Sequence, residues 1–276
     1  MIDELEPLLR RLGDLTLLQW TVFESAFPAF AAARWEEAEH RMTEAVEVSR
    51  RGGFVGEQSW FVAHLGWLAR LQGRFDLAVT LGSAAVAQAR RVPQAWFGPT
   101  ADALLAGTML DRGDAGGAAA LLRDALSAAG PEGAEAYRLR CLAPLAEATG
   151  DPAVLAEADG LLRGIEAPPG SAFLLGADAY VCVARAWLRT GDPARARAVL
   201  APLLAAARRL EWIPVLVVAG FVDARSAAAL ADAGAVGAAE QARALAEQNG
   251  MSGALQSRCY TPATPQRTMV PAPPAG

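Results

Sequence analysis

Turn-like segments recur along this chain at a nearly fixed spacing. The segments are AARWEEA (Ala32 to Ala38), QGRFDLA (Gln72 to Ala78), RGDAGGA (Arg112 to Ala118), TGDPAVL (Thr149 to Leu155), TGDPARA (Thr190 to Ala196) and AGAVGAA (Ala233 to Ala239). Their second residues fall at 33, 73, 113, 150, 191 and 234. A near-constant period with one helical hairpin in each leaves few architectures. Each hairpin has an apolar face it cannot bury alone, so the units must stack into a solenoid.

The clearest unit runs from Glu57 to Arg91. Trp60, Phe61, Ala63, His64, Trp67, Leu68 and Leu71 follow helical spacing and give one wide apolar face. Gly73 stops that helix, because glycine enters the left-handed conformation without a Cβ penalty. Phe75, Ala78, Val79, Leu81, Gly82, Ala85 and Val86 open a second periodic run. Gly66, Ala78 and Ala85 are small where the two helices must approach. Asp151 and Asp192 precede Pro152 and Pro193, which predicts an N-cap followed by proline at the first helical position. Asp14 is a further N-cap candidate. Arg50-Arg51, Arg90-Arg91 and Arg208-Arg209 end second helices, where each exposed cation contributes roughly 0.3–1 kcal/mol against the helix dipole. That placement explains the pairs better than a basic stripe for a partner does.

Gly52-Gly53, Val92-Pro93, Gly130-Pro131 and the 167–170 stretch separate the units. Residues 1–14 form a short amphipathic helix, 15–251 the array, and 252–276 a tail with five prolines and no periodicity, expected to be disordered. The sixth unit, Asp223 to Gln248, is small and polar, as suits a terminal cap.

The hairpin resembles the tetratricopeptide (TPR) pattern through Leu65-Gly66, Gly73, Phe75, Ala78 and Ala85, and through the RWEEA and GRFDLA turns. The resemblance implies an all-α, right-handed α-solenoid of about six TPR-like hairpins, active in protein–protein interaction. A period longer than the usual TPR repeat further resembles the sensor arrays of large ATP-binding LuxR-type (MalT-like) transcriptional regulators. Their ATPase loop has no counterpart here, since a chain without lysine holds no G-x-x-x-x-G-K-[ST], and no helix-turn-helix follows Gly250. The chain therefore reads as a stand-alone array or as the sensor segment of a larger regulator.

Catalysis finds little support. The two histidines, His40 and His64, lie in different hairpins without Cys or carboxylate at ligand spacing, so a solvated or core-edge role is expected for each. Cys182 sits in the apolar run AYVCVARAW and reads as a buried small hydrophobe. Three scattered cysteines make neither a disulfide framework nor a metal set, which points to a reducing cytoplasm. No cofactor motif is present. A net charge of −5 argues against direct nucleic-acid binding. The longest apolar run, Ile213 to Val222, is too short to span a bilayer and reads as a buried helix, and the N-terminus is not a signal peptide.

Binding is the better expectation. First helices should line a concave groove and present Trp60, Ala63, Trp67 and Arg70, with Arg140, Arg185 and Arg189 carrying the surface onward. Aromatics beside arginine would anchor a peptide or a small anionic effector. The competing reading packs Trp60 and Trp67 between hairpins. Trp20, Phe23, Phe27 and Phe30 form a stripe that is either core or an apolar docking face for another protein or a second copy.

Overall fold

The computed structural model describes residues 2–92, 97–129, 135–164 and 171–257. Its described residues form helices joined by turns, with no strand among them. A leading helix α1 (Ile2–Leu12) precedes six hairpins. The first pairs α2 (Leu15–Glu24) and the short α3 (Phe27–Ala31) with α4 (Trp35–Gly52). Then come α5 (Val55–Leu71) with α6 (Phe75–Ala89), α7 (Phe97–Asp111) with α8 (Ala115–Ala129), and α9 (Glu135–Thr149) with α10 (Pro152–Gly164). The last two are α11 (Ser171–Arg189) with α12 (Pro193–Arg209), and α13 (Ile213–Ala229) with α14 (Ala235–Gln248). A short α15 (Ser252–Gln256) follows. The chain is a TPR-like helical array.

The turns carry the repeat. Positive φ occurs at Ala33, Gly73, Gly113, Gly150 and Gly191, the five positions the period predicts. The sixth lies at Ala231, not at residue 234, which keeps the spacing from Gly191 even. The run of small residues from Ala227 to Ala239 hides the register, since any of them could start a helix. Five residues beyond each of the first five turns, Ala38, Ala78, Ala118, Leu155 and Ala196 are at most 1% exposed. Val236, at the same distance from Ala231, is 70% exposed, because α14 starts at Ala235, four residues after its turn instead of two, which shifts the inward face.

The expected caps form. Asp14 accepts from the Leu17 N–H at 3.0 Å, Asp151 from Ala153 at 2.8 Å and Asp192 from Arg195 at 2.9 Å. Close approach explains Gly66, where a Cβ would lie 3.2 Å from the Ala78 carbonyl oxygen of the facing helix. The apolar run from Ile213 opens the buried helix α13, with its proline in the first turn.

Two expectations change. Sequence alone has the tail leaving the array at residue 252, yet 252–256 form α15, and Met251, Gly253, Ala254 and Ser257 are buried. Gly250 takes positive φ and starts a new first helix, in the way Glu211 starts α13. The remaining tail, 258–276, lies outside the described residues, as do the breaks at 93–96, 130–134 and 165–170. The second change is closure of the groove. First helices α5, α7, α9 and α11 pack in series, and α3 meets α13 while α15 meets α5. Trp35 Nε1 donates to the Asn249 carbonyl at 2.6 Å, joining the first hairpin to the end of the last. The inner face is therefore filled by its own side chains.

Candidate functional site

The inner face has an aromatic half and a charged half. In the aromatic half, α2, α3 and α5 interleave their rings. Phe23 meets Phe61 at 4.7 Å between centroids, Trp20 meets Phe61 at 5.1 Å, and Phe30 meets Trp67 at 4.6 Å. Phe23, Phe27 and Phe30 are buried and Trp20 is half-buried. The docking-face reading of this stripe is thus corrected: α5 covers it, and tilted and edge-to-face ring contacts take up its surface. Trp60 and Trp67 are also buried, each 5% exposed, so neither stands in an open groove, and Ala63 is buried too.

The charged half begins three residues before the Gly73 turn. Arg70 of α5 is buried, and its Nε donates to Asp111 of α7 at 2.6 Å. Gly107, one turn earlier on α7, makes room, since a Cβ there would lie 2.3 Å from an Arg70 terminal nitrogen. Arg185 of α11 pairs with Glu147 of α9 at 3.1 Å and lies 4.0 Å from Asp111. Asp178, also of α11, stands 3.7 Å from Arg70. Ser257, just past α15, donates to Asp111 at 2.7 Å. Four first helices and the chain's last described residue thus share one buried ion cluster.

Electrostatics follow from this enclosure. Burial works against the charge on Arg70, but Asp111 and Asp178 outweigh it and hold the guanidinium protonated. Burial pushes the Asp111 carboxyl up, and Arg70, Arg185 and the Ser257 hydroxyl together hold it below the usual carboxylate range. For Asp178 burial prevails and its carboxyl is raised, Arg70 offsetting only part. Yet 35% of the Asp178 side chain stays uncovered, and the residue borders two cavities. Arg140 of α9 is pushed down to about 10 by burial; it donates to Thr100 at 2.8 Å and sits over the Trp60 ring at 5.5 Å.

The larger of those two cavities, about 30 Å³, is lined by Trp67, Arg70 and Arg140 together with His64, Thr100 and Asp178. The structure therefore brings together three of the residues expected to bind, Trp67, Arg70 and Arg140, inside the array. It separates the others. Arg185 is buried against Glu147, and Arg189 is exposed and donates to the Glu147 carbonyl. Of the arginine set expected to hold an anion, Arg140, Arg185 and Arg189, Arg140 lines this cavity. His40 is exposed as expected, whereas His64 is fully buried rather than at the core edge. Its Nδ1 bonds the Trp60 carbonyl at 2.8 Å, and desolvation lowers its pKa to about 3. Cys141 and Cys182 are buried free thiols; burial pushes Cys141 up to about 12 and Cys182 well above the ordinary value. Among the described residues no group of His, Cys, Asp or Glu could hold a metal, and no helix is long and apolar enough to cross a membrane.

Sequence reasoning misses the acids. Asp111 and Glu147 stand two and three residues before their turn glycines, where Arg70 stands before Gly73. Charged residues recurring two or three residues before the turn at the end of successive first helices are the available signal.

No family model and no curated protein matches this chain. Solved structures do, among them two of a kinesin light chain of Podosopora anserina with nearly identical TPR-like repeats. One, a form with a single substitution, is 19% identical, with a TM-score of 0.41, over 68% of this chain and 93% of its own. The other is 20% identical, with a TM-score of 0.40, over 68% of this chain and 94% of its own. The repeat in this chain stands on its own helices and turns.

Proposed function

We propose that this array is a protein-interaction module whose inner face accepts a short helical segment at the end of α5. The supporting observation is the seat of residues 251–257. Ser252 donates through its hydroxyl to the Gln72 carbonyl, and a Cβ on Gly253 would fall 2.0 Å from the Arg70 carbonyl oxygen. Met251 fills an apolar site and Ser257 reaches Asp111. Such a seat selects small residues at its centre and a hydroxyl at its end. A partner bearing a similar segment would compete with the chain's own.

The test uses the full chain with Gly253→Val, which cannot sit against the α5 backbone. A fluorescent peptide spanning Asn249 to Ser257 is expected to bind this variant saturably and to bind the unsubstituted chain at least ten-fold more weakly. Equal binding, or none to either, would remove the seat as a docking site.

A regulatory setting of the LuxR type is the finer part of this reading. It is supported by a repeat period longer than that of the usual TPR unit. The check is genomic: a coding segment for an ATPase or a helix-turn-helix adjoining this one is expected. Its absence would leave an interaction module without that setting.

A further inference from the structure

We propose that the cavity between α10 and α12 binds a monocarboxylate whose body is apolar and of the size of a phenyl ring. Both of these second helices pack on α11. The gap they leave holds about 340 Å³, far more than the inner-face cavities of about 30 and 20 Å³. A volume of that order is typical of small-molecule sites.

Part of the wall is charged. Asp159 of α10 is buried, and its Oδ2 accepts from Arg163 at 2.5 Å and from Arg195 of α12 at 2.8 Å. Both guanidiniums remain reachable, since 66% of the Arg163 side chain and 41% of the Arg195 side chain are uncovered. Arg195 also lies over the Trp187 ring, 4.1 Å from its centroid, and this stacking steadies the plane of its N–H fork. A guanidinium has five N–H donors, and Asp159 engages only some of them on each side chain. Among the described residues of the wall, two positive charges thus stand against one negative charge. An excess of one suits a carboxylate, which can accept two parallel N–H bonds from such a fork.

The rest of the wall is apolar, made by Leu162, Tyr180, Ala198, Val199 and Pro202. Burial raises the Tyr180 phenol, so its hydroxyl stays neutral beside an anion. Phosphate would bring a second negative charge towards Asp159 and leave this apolar surface wet. A cation would meet two guanidiniums. A neutral ring would bury the apolar surface and leave the excess charge unused. A monocarboxylate with a compact apolar body satisfies both parts of the wall. The cavity shares no residue with the α15 seat, so failure of this proposal leaves the docking proposal intact, and the reverse also holds.

The experiment is calorimetric titration and thermal denaturation of the full chain with benzoate, phenylacetate and hexanoate. Acetate and inorganic phosphate, which lack the apolar body, and phenylacetamide, which lacks the charge, serve as controls at equal ionic strength. At least one of the three acids is expected to bind saturably and to raise Tm, since a ligand of the folded state stabilises it by mass action. The controls should bind ten-fold more weakly or not at all. Arg163→Gln removes one guanidinium and leaves Asp159 paired with Arg195. Ala198→Phe, at an exposed position of the wall, fills the cavity and leaves the ion pairs in place. Each is expected to weaken binding ten-fold or more. If one variant fails to fold, the other decides. Absence of saturable binding by all three acids would overturn the proposal. So would equal binding of acetate, phosphate or phenylacetamide, or unchanged affinity in the folded variants.

Discussion

The aromatic and charged halves of the inner face meet on α5, yet they are held by different physics. Phe23, Phe30, Phe61 and Trp67 interleave without needing exact partners, and any ring that fills the space retains most of the burial energy. Arg70, Asp111, Glu147 and Arg185 have no such tolerance, because each needs its opposite charge at hydrogen-bond distance. The aromatic half closes into continuous core. The charged half borders a cavity through Arg70 and Asp178. A binding function therefore belongs in the charged half, although the aromatic stripe is the louder signal in the sequence.

Substitution should break this comparison in a graded way. The largest loss is expected where an ion is orphaned. Arg70→Met removes the shared partner of Asp111 and Asp178 and should cost about 3–5 kcal/mol in urea unfolding. Phe61→Ala should cost about 3–5 kcal/mol as well, but Phe61→Leu should recover much of it. No single replacement of Arg70 should do the same. An equally mild conservative variant in the charged half would erase the distinction.

Acidification gives a second handle. The unfolded chain protonates His64 near the ordinary pKa of about 6.5, while the folded chain keeps it neutral down to about 3. Stability from this group is thus full above about 6.5 and falls as pH drops, by up to about 1.4 kcal/mol per unit. Asp102 works in the opposite sense. Its pKa is raised to about 6 by burial, so it destabilises as pH rises from about 4 to 6. In an Asp102→Asn background the acid slope between pH 6 and 4 should steepen, and adding His64→Gln should flatten it. A slope insensitive to His64 would place that ring in solvent.

Smaller effects test the connections. Ser257→Ala removes a buried hydrogen bond to the Asp111 carboxylate and should cost about 1.5–3 kcal/mol, read as earlier unfolding in urea. Asp192→Ala removes the cap of α12 and should cost about 1 kcal/mol. A Ser257→Ala effect smaller than the cap loss would mean that residues 251–257 are not fastened to the cluster.

Much of the fold is legible in the sequence. Turn glycines with positive φ, capping aspartates before proline and alanines where helices meet are local chemistry, and they recur hairpin after hairpin. The sixth turn escapes this reading because Ala231 gives no glycine signal and small residues surround it on both sides. The closure is not legible. Periodicity shows which face of a helix turns inward, but not how far successive hairpins rotate. That rotation decides whether Trp67 looks into a groove or at Val215 and Val218 of α13. Likewise the spacing places Arg70 on the inner face, while its partners Asp111 and Asp178 stand on other hairpins, the second of them three units further along.

The closed inner face is the central structural claim, and a double-mutant cycle across it tests that claim most directly. Trp67 of α5 and Val218 of α13 border the same small cavity from opposite ends of the array. Urea unfolding of Trp67→Ala, Val218→Ala and the pair should give a coupling of at least about 0.5 kcal/mol, as for residues in contact or sharing a cavity. Strict additivity would mean that the two residues do not meet and that the inner face is an open groove.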